Sequence, residues 1–74
     1  MSVKVAMIDD HPIVRQGLRN LLETEPSFQV IAEADDGITG LELVHRLRPD
    51  ALIVDLMMPG LNGLDLIKQV LKHL

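Results

Sequence analysis

The chain has 74 residues, 47% of them apolar, and a formal net charge of −4, which bounds it to one small domain with a hydrophobic core. Phe28 is its one aromatic residue. Together with the acidic balance this argues against a nucleic-acid binder, since such modules use aromatic stacking and basic patches. With no cysteine, disulfide frameworks and thiolate metal sites are excluded. No apolar run approaches the roughly 20 residues of a membrane span, so we expect a cytoplasmic protein with no membrane partner.

The first predicted unit is a strand followed by a helix. Residues 5–8 are continuously apolar, as expected for a strand that is covered on both faces. Pro12 suits the first turn of a helix, apolar residues then recur at helical spacing, and Pro26 closes the segment. This pattern predicts a helix that turns its apolar stripe to the sheet and leaves charged side chains such as Arg15 in solvent.

The second and third units repeat this order. Residues 28–34 are consistently apolar on only one of their two alternating faces, which is typical of a strand nearer the sheet edge. Asp36 is predicted to cap the helix that follows, and that helix ends before Pro49. Residues 51–54 form a second fully apolar strand, and a final helical pattern runs from Leu64 to the last residue of the sequence.

The alternation of strands and helices predicts a three-layer α/β fold with a parallel sheet. Because the two fully apolar strands belong in its interior, the predicted spatial order is 2-1-3. The chain connections diverge between the first and third strands, and ligands of open α/β sheets bind at such a switch point. Asp9, Asp10 and Asp55 directly follow the carboxyl ends of these two strands, so we expect the three carboxylates to converge there.

Three carboxylates in one crevice repel one another unless a cation compensates their charge. Mg²⁺ suits them, because it prefers carboxylate oxygens and leaves coordination positions for water or a phosphate oxygen. Asp10 taken alone is equally well interpreted as a helix cap, but the three together favour a metal site. His11 is interpreted as a solvated loop residue rather than a ligand.

Two segments of the sequence carry a resemblance to a known family. They are MIDDHP at residues 7–12 and LIVDLMMPGLNGL at residues 52–64, in which a proline and a glycine follow Asp55 by four and eight positions. These segments resemble the receiver domain of two-component response regulators, and the Asp-Asp-His-Pro run is similar to the NarL/FixJ branch. The resemblance implies a flavodoxin-like, CheY-like sheet. It also implies that Pro59 and Gly63 shape the loop after Asp55.

The resemblance further implies a function and a role for each site residue. Asp55 would accept a phosphoryl group from a histidine kinase or a small phospho-donor, and would also bind the metal ion. Asp10 would bind Mg²⁺ directly, Asp9 would act mainly through a bound water, and the backbone carbonyl of Met57 would supply a further ligand. Such a domain is a regulatory phospho-acceptor rather than an enzyme, and in the intact protein it controls a DNA-binding transcriptional output.

The sequence departs from this family in its extent. Receiver domains have five strand–helix units, whereas residues 1–74 supply three. The fourth and fifth units, with the Ser/Thr and Lys that they carry, and any output domain are absent from this sequence. We therefore expect a partial receiver domain, which reaches DNA only through the missing output domain. Its third strand lacks a predicted neighbour and is an association hazard, so we expect a homo-oligomer or a domain-swapped dimer through that strand.

Two alternatives belong to other functional classes. A Mg²⁺-dependent phosphohydrolase would also place a nucleophilic aspartate beside the metal ion, but its common form has an Asp-x-Asp pair after the first strand. Here Asp9 and Asp10 are adjacent and His11 occupies the third position, which disfavours that enzyme. The other alternative is a module that keeps the fold and acts by association alone.

Overall fold

The structure is a computed structural model that describes residues 2–58 and 63–72. Three strands and three helices alternate along these residues. The strands are β1 (Val3–Ile8), β2 (Phe28–Ala34) and β3 (Ala51–Val54), and the helices are α1 (Pro12–Glu23), α2 (Gly37–Leu47) and α3 (Gly63–Lys72). These bounds confirm the predicted units. β1 begins earlier than the apolar run because Val3 and Lys4 also pair with β2.

The strands form a parallel sheet in the order β2-β1-β3, as predicted. β1 pairs along both of its edges, and its last four residues, 5–8, are at most 2% exposed. A register shift at Val5 leaves Ile31 of β2 without a partner, as in a β-bulge. On the other edge Ile8 lies opposite Val54, so β1 and β3 end side by side.

The helices cover the sheet in two layers. α1 contacts β2, whereas α2 lies on β1 and β2 and packs against α3. Right-handed crossovers place α1 on one face of the sheet and the other two helices on the opposite face, which gives the predicted three-layer arrangement. A hydrophobic core cluster fills the α2–α3 side and comprises Ile8, Ala34, Val44, Met58 and Leu66.

α1 differs from its prediction in two ways. Its apolar stripe is only partly covered: no residue of α1 is buried, and Val14 and Leu21 are 49% and 67% exposed. Leu18 and Leu22 of the same stripe are half-buried. The interpretation of Arg15 as a solvated residue is also wrong. Its Nη1 donates to the Asp9 carbonyl at 2.8 Å, and its Nε lies 3.4 Å from a carboxylate oxygen of Glu33. The arginine therefore ties α1 to the ends of β1 and β2.

Local signals explain where α2 begins and ends. The side chain of Asp36 caps the helix: one oxygen accepts from the Thr39 N–H at 2.7 Å and the other from the Thr39 hydroxyl at 2.9 Å. Arg48 closes the helix in the left-handed conformation, with φ 50°, and Pro49 cannot continue it. Within residues 2–58 and 63–72, no helix is long and apolar enough to cross a membrane.

Candidate functional site

A cluster of acidic side chains lies where β1 and β3 end. The Asp55 N–H donates to the Ile8 carbonyl at 2.9 Å, which carries the β1–β3 pairing one step past the strands. Carboxylate oxygens of Asp9, Asp10 and Asp55, together with a ring nitrogen of His11, lie within 4.8 Å of one another. The structure thus brings together the three carboxylates that the sequence places at the switch point.

These carboxylates are partly removed from water. The exposed fractions of the Asp9, Asp10 and Asp55 side chains are 13%, 28% and 18%. The Oδ1 atom of Asp10 is buried and makes no hydrogen bond, although buried carboxylate oxygens are normally satisfied. A hard divalent cation would satisfy this oxygen and offset the repulsion within the cluster. The side chains present therefore fit a divalent ion of the Mg²⁺ type.

His11 is an exposed loop residue, as predicted, but its ring also contacts this cluster. Its Nδ1 lies 2.8 Å from Asp9 Oδ1, 3.0 Å from Asp10 Oδ1 and 3.3 Å from Asp55 Oδ2. The His11 backbone N–H also donates to Asp9 Oδ1 at 2.8 Å, and this tight turn folds the ring over the carboxylates. The opposite side of the ring faces solvent, and 61% of the side chain is exposed.

The close contacts perturb both partners. The pKa of His11 is raised above its ordinary value, chiefly by the hydrogen bond to the Asp9 side chain and then by the charge of Asp10. Burial raises the pKa of Asp9, but the hydrogen bonds from the His11 backbone and ring outweigh burial and leave that pKa below its ordinary value. The carboxylates therefore favour the protonated, positively charged form of the imidazole.

A backbone N–H of the segment after β3 donates a hydrogen bond to the Asp55 side chain. The Met57 N–H donates to Asp55 Oδ1 at 2.9 Å, whereas the predicted ligand role of the Met57 carbonyl stays a prediction. Gly63 begins α3 directly against this segment, where an added Cβ would lie 2.1 Å from the Asp55 carbonyl oxygen. Only glycine fits such an approach. Pro59, the other residue predicted to shape this loop, lies outside the described residues.

Comparisons with known proteins agree with this architecture. The family model described as "Response regulator receiver domain" matches residues 5–74. The chain is 43% identical over 72 residues to the transcriptional regulatory protein LiaR of Bacillus subtilis (strain 168), an alignment that covers 97% of this chain and 34% of LiaR. It is also similar to the nitrate/nitrite response regulator protein NarP of Escherichia coli (strain K12), with 47% identity over 62 residues, 84% of this chain and 29% of NarP.

A solved structure shows the same fold with a ligand and a partner. RcsB from Salmonella enterica serovar Typhimurium, bound to promoter rprA in the presence of phosphomimetic BeF3−, matches with a TM-score of 0.88 and 36% sequence identity. The match covers 97% of this chain and 61% of the RcsB chain. The chain spans about a third of the length of the curated relatives named above.

Proposed function

The chain belongs to the family of response regulator receiver domains, and on that premise we propose that Asp55 is its phospho-acceptor. The observation that carries the proposal is the position of this side chain. Asp55 directly follows β3 and lies inside the carboxylate cluster. Its side chain is 18% exposed and accepts a hydrogen bond at Oδ1 from the Met57 N–H. A carboxylate that is both oriented and accessible can act as a nucleophile.

In the proposed reaction a carboxylate oxygen of Asp55 attacks the phosphorus atom of a phosphohistidine. A phosphorus–oxygen bond forms and the phosphorus–nitrogen bond breaks, so that the leaving electron pair goes to the imidazole of the donor, which then takes a proton. With acetyl phosphate as donor, acetate leaves instead. In both cases the product is an acyl phosphate on Asp55.

Asp9 and Asp10 would hold Mg²⁺ beside the acceptor. The bound ion would neutralise charge on the phosphoryl oxygens and reduce their repulsion from the carboxylates. Asp10 suits a direct contact because its buried Oδ1 has no hydrogen-bond partner. Asp9 is already engaged by the backbone and ring of His11, which suits the contact through a bound water that the family resemblance implies.

The family also suggests partners for the chain. A histidine kinase would supply the phosphoryl group, and RcsB bound to a promoter supports a DNA-binding output in the whole protein. We propose on the same basis that the chain acts in the cytoplasm as a regulatory domain rather than as an enzyme. The phosphoryl group is transferred to an aspartate of the domain itself. A second copy of the chain is a further proposed partner, through β3.

Labelling by acetyl phosphate tests the assignment of Asp55. The full chain is incubated with acetyl phosphate and Mg²⁺, and intact-mass spectrometry measures the added phosphoryl group. We expect one phosphoryl group in the wild type and none in Asp55→Asn or in the presence of a chelator. Asp50→Asn is the matched control, because Asp50 accepts from the Lys4 N–H at the amino-terminal ends of β1 and β3, away from the cluster.

Two results would contradict the proposal. Equal labelling of Asp55→Asn and the wild type would place the acceptor elsewhere. Sustained hydrolysis of a free phosphate ester, lost in Asp55→Asn, would instead favour the phosphohydrolase.

A further inference from the structure

His11 places a nitrogen donor among the carboxylate oxygens that the proposed function assigns to Mg²⁺. Mg²⁺ and most first-row divalent ions bind about 2.1 Å from their ligands, and in an octahedron adjacent donors then lie about 3.0 Å apart and opposite donors about 4.2 Å apart. The three distances from His11 Nδ1 to the carboxylate oxygens are 2.8, 3.0 and 3.3 Å. They match the spacing of adjacent donors around one ion.

We propose that His11 Nδ1 is a fourth protein donor at this site, so that the site prefers divalent ions with affinity for imidazole over Mg²⁺. This inference rests on the proposed function, because it takes the carboxylate cluster as a metal site. All four donor atoms lie within 4.8 Å of one another, which leaves only a small expansion relative to an occupied octahedron. No rearrangement of the backbone is needed to bring the nitrogen into place, and the ion takes the place of the Nδ1 proton, which is released to solvent.

The position of the imidazole is built into the local backbone. The His11 N–H is bound to Asp9 Oδ1 at 2.8 Å, so the residue that carries the nitrogen is held by one of the carboxylates that it would join. His11 also directly precedes α1, which starts at Pro12, and the fixed φ of proline limits the freedom of the chain there. The nitrogen donor is therefore positioned before any ion binds, which lowers the entropic cost of recruiting it.

Coordination chemistry makes the consequence measurable. Imidazole suits Ni²⁺, Co²⁺ and Zn²⁺, whereas Mg²⁺ takes oxygen ligands. Loss of the ring should therefore weaken transition-metal binding and leave Mg²⁺ binding nearly unchanged. A purely carboxylate site would show no such difference between the two classes of ion.

Titration calorimetry of the full chain with NiCl₂ and with MgCl₂ tests this inference. We expect His11→Ala to lower the affinity for Ni²⁺ by at least about tenfold while the affinity for Mg²⁺ stays within a few fold of the wild type. His45→Ala is the matched control, since His45 lies in the last turn of α2, and we expect it to change neither affinity. An independent readout is the ¹⁵N resonance of His11 Nδ1, which should shift much further on addition of Zn²⁺, through a direct bond, than on addition of Mg²⁺.

The remaining outcomes overturn the inference. If His11→Ala changes Ni²⁺ and Mg²⁺ affinity equally, in either direction, then the ring positions or blocks the site without being a donor. If it changes neither affinity, His11 has no part in metal binding. In both cases Mg²⁺-dependent labelling of Asp55 would still stand, so failure of this inference is distinguishable from failure of the proposed function. A wild-type chain that binds no divalent ion would overturn both.

Discussion

Asp10 is the carboxylate of the site that has a buried oxygen without a hydrogen bond. Its Oδ1 is buried without a hydrogen bond, and its nearest described cation is the exposed His11 ring at 3.0 Å. We expect Asp10→Asn to weaken Mg²⁺ binding by at least about tenfold, because the amide oxygen keeps the shape of the ligand but loses its charge. Titration calorimetry measures the effect, with Asp50→Asn as control. Equal Mg²⁺ affinity in the wild type and Asp10→Asn would contradict the assignment of Asp10 as a direct ligand.

Asp36 gives a pH dependence that is separate from the metal site. The Thr39 N–H, and after it the Thr39 hydroxyl, hold the pKa of Asp36 below its ordinary value of 3.8. A group whose pKa is lowered by folding stabilises the native state above its unfolded pKa, and that stabilisation is lost as the pH falls through the folded value. We therefore expect the stability difference between the wild type and Asp36→Ala to be full at neutral pH and to shrink below about pH 4.

Asp36→Asn is the matched variant for this measurement. Asparagine keeps an oxygen that can accept from the Thr39 N–H but has no charge to titrate. Denaturant unfolding across the acid range should thus show a constant difference between Asp36→Asn and Asp36→Ala. A wild-type advantage over Asp36→Ala that does not change with pH would show that charge plays no part in the cap.

At the residue scale, the sequence predicts best where geometry is forced. The convergence of Asp9 and Asp55 follows from the parallel pairing of β1 and β3, since parallel strands end at the same edge of a sheet. The contacts of His11 and Arg15 depend instead on the direction of a side chain after a turn or along a helix, and hydrophobic periodicity carries no such information. For His11, its position directly after two acidic residues is the signal that could have indicated a contact.

Two helical glycines provide a matched test of how closely the helices approach the sheet. An added Cβ at Gly40 of α2 would lie 2.5 Å from Cδ1 and 2.8 Å from Cγ1 of Ile8, whereas at Gly17 of α1 nothing lies within 4 Å. Ile8 is 2% exposed and has no room to retreat. We expect Gly40→Ala to destabilise the fold by about 1–3 kcal/mol and Gly17→Ala to stabilise it by about 0.5–1 kcal/mol.

Denaturant unfolding of the two variants measures these effects. Each glycine lies inside a helix, so the gain in helix propensity is shared and the difference between the variants reports packing against the sheet. Equal stabilisation by both substitutions would mean that Gly40 of α2 does not lie against Ile8 of β1.

At the element scale, the existence and order of strands and helices are predictable from the sequence. Which of their apolar faces are buried by other elements is not. β2 and β3 begin and end where the apolar patterns do, because Pro and Gly punctuate the chain at their flanks. The stripe of α1 predicts a buried face, yet Val14 and Leu21 are exposed. Periodicity shows that a face is apolar, and only the tertiary arrangement shows what covers it.

At the scale of the whole molecule, the two outer strands of the described sheet differ in character. β2 carries a mixed polar and apolar sequence, which suits an outer strand. β3 is entirely apolar, and among the described residues it pairs only with β1. The side of β3 next to α3 opens into an apolar groove lined by Leu52, Val54, Ile67, Val70 and Leu71. An occupant that fits must bring both an extended backbone and aliphatic side chains.

The β3 strand of a second copy meets both requirements, because a two-fold axis beside the strand would pair the two edges and bring the two grooves together. We expect the full chain to sediment at about twice the monomer mass and Leu71→Lys, on the rim of the groove at 60% exposure, to return it to a monomer. Leu21→Lys is the matched control, since Leu21 is 67% exposed on α1, which covers the opposite face of the sheet. A wild-type monomer would exclude pairing through β3. A dimer that is dissociated by Leu21→Lys and not by Leu71→Lys would also exclude it, because only Leu71→Lys places a charge in the groove.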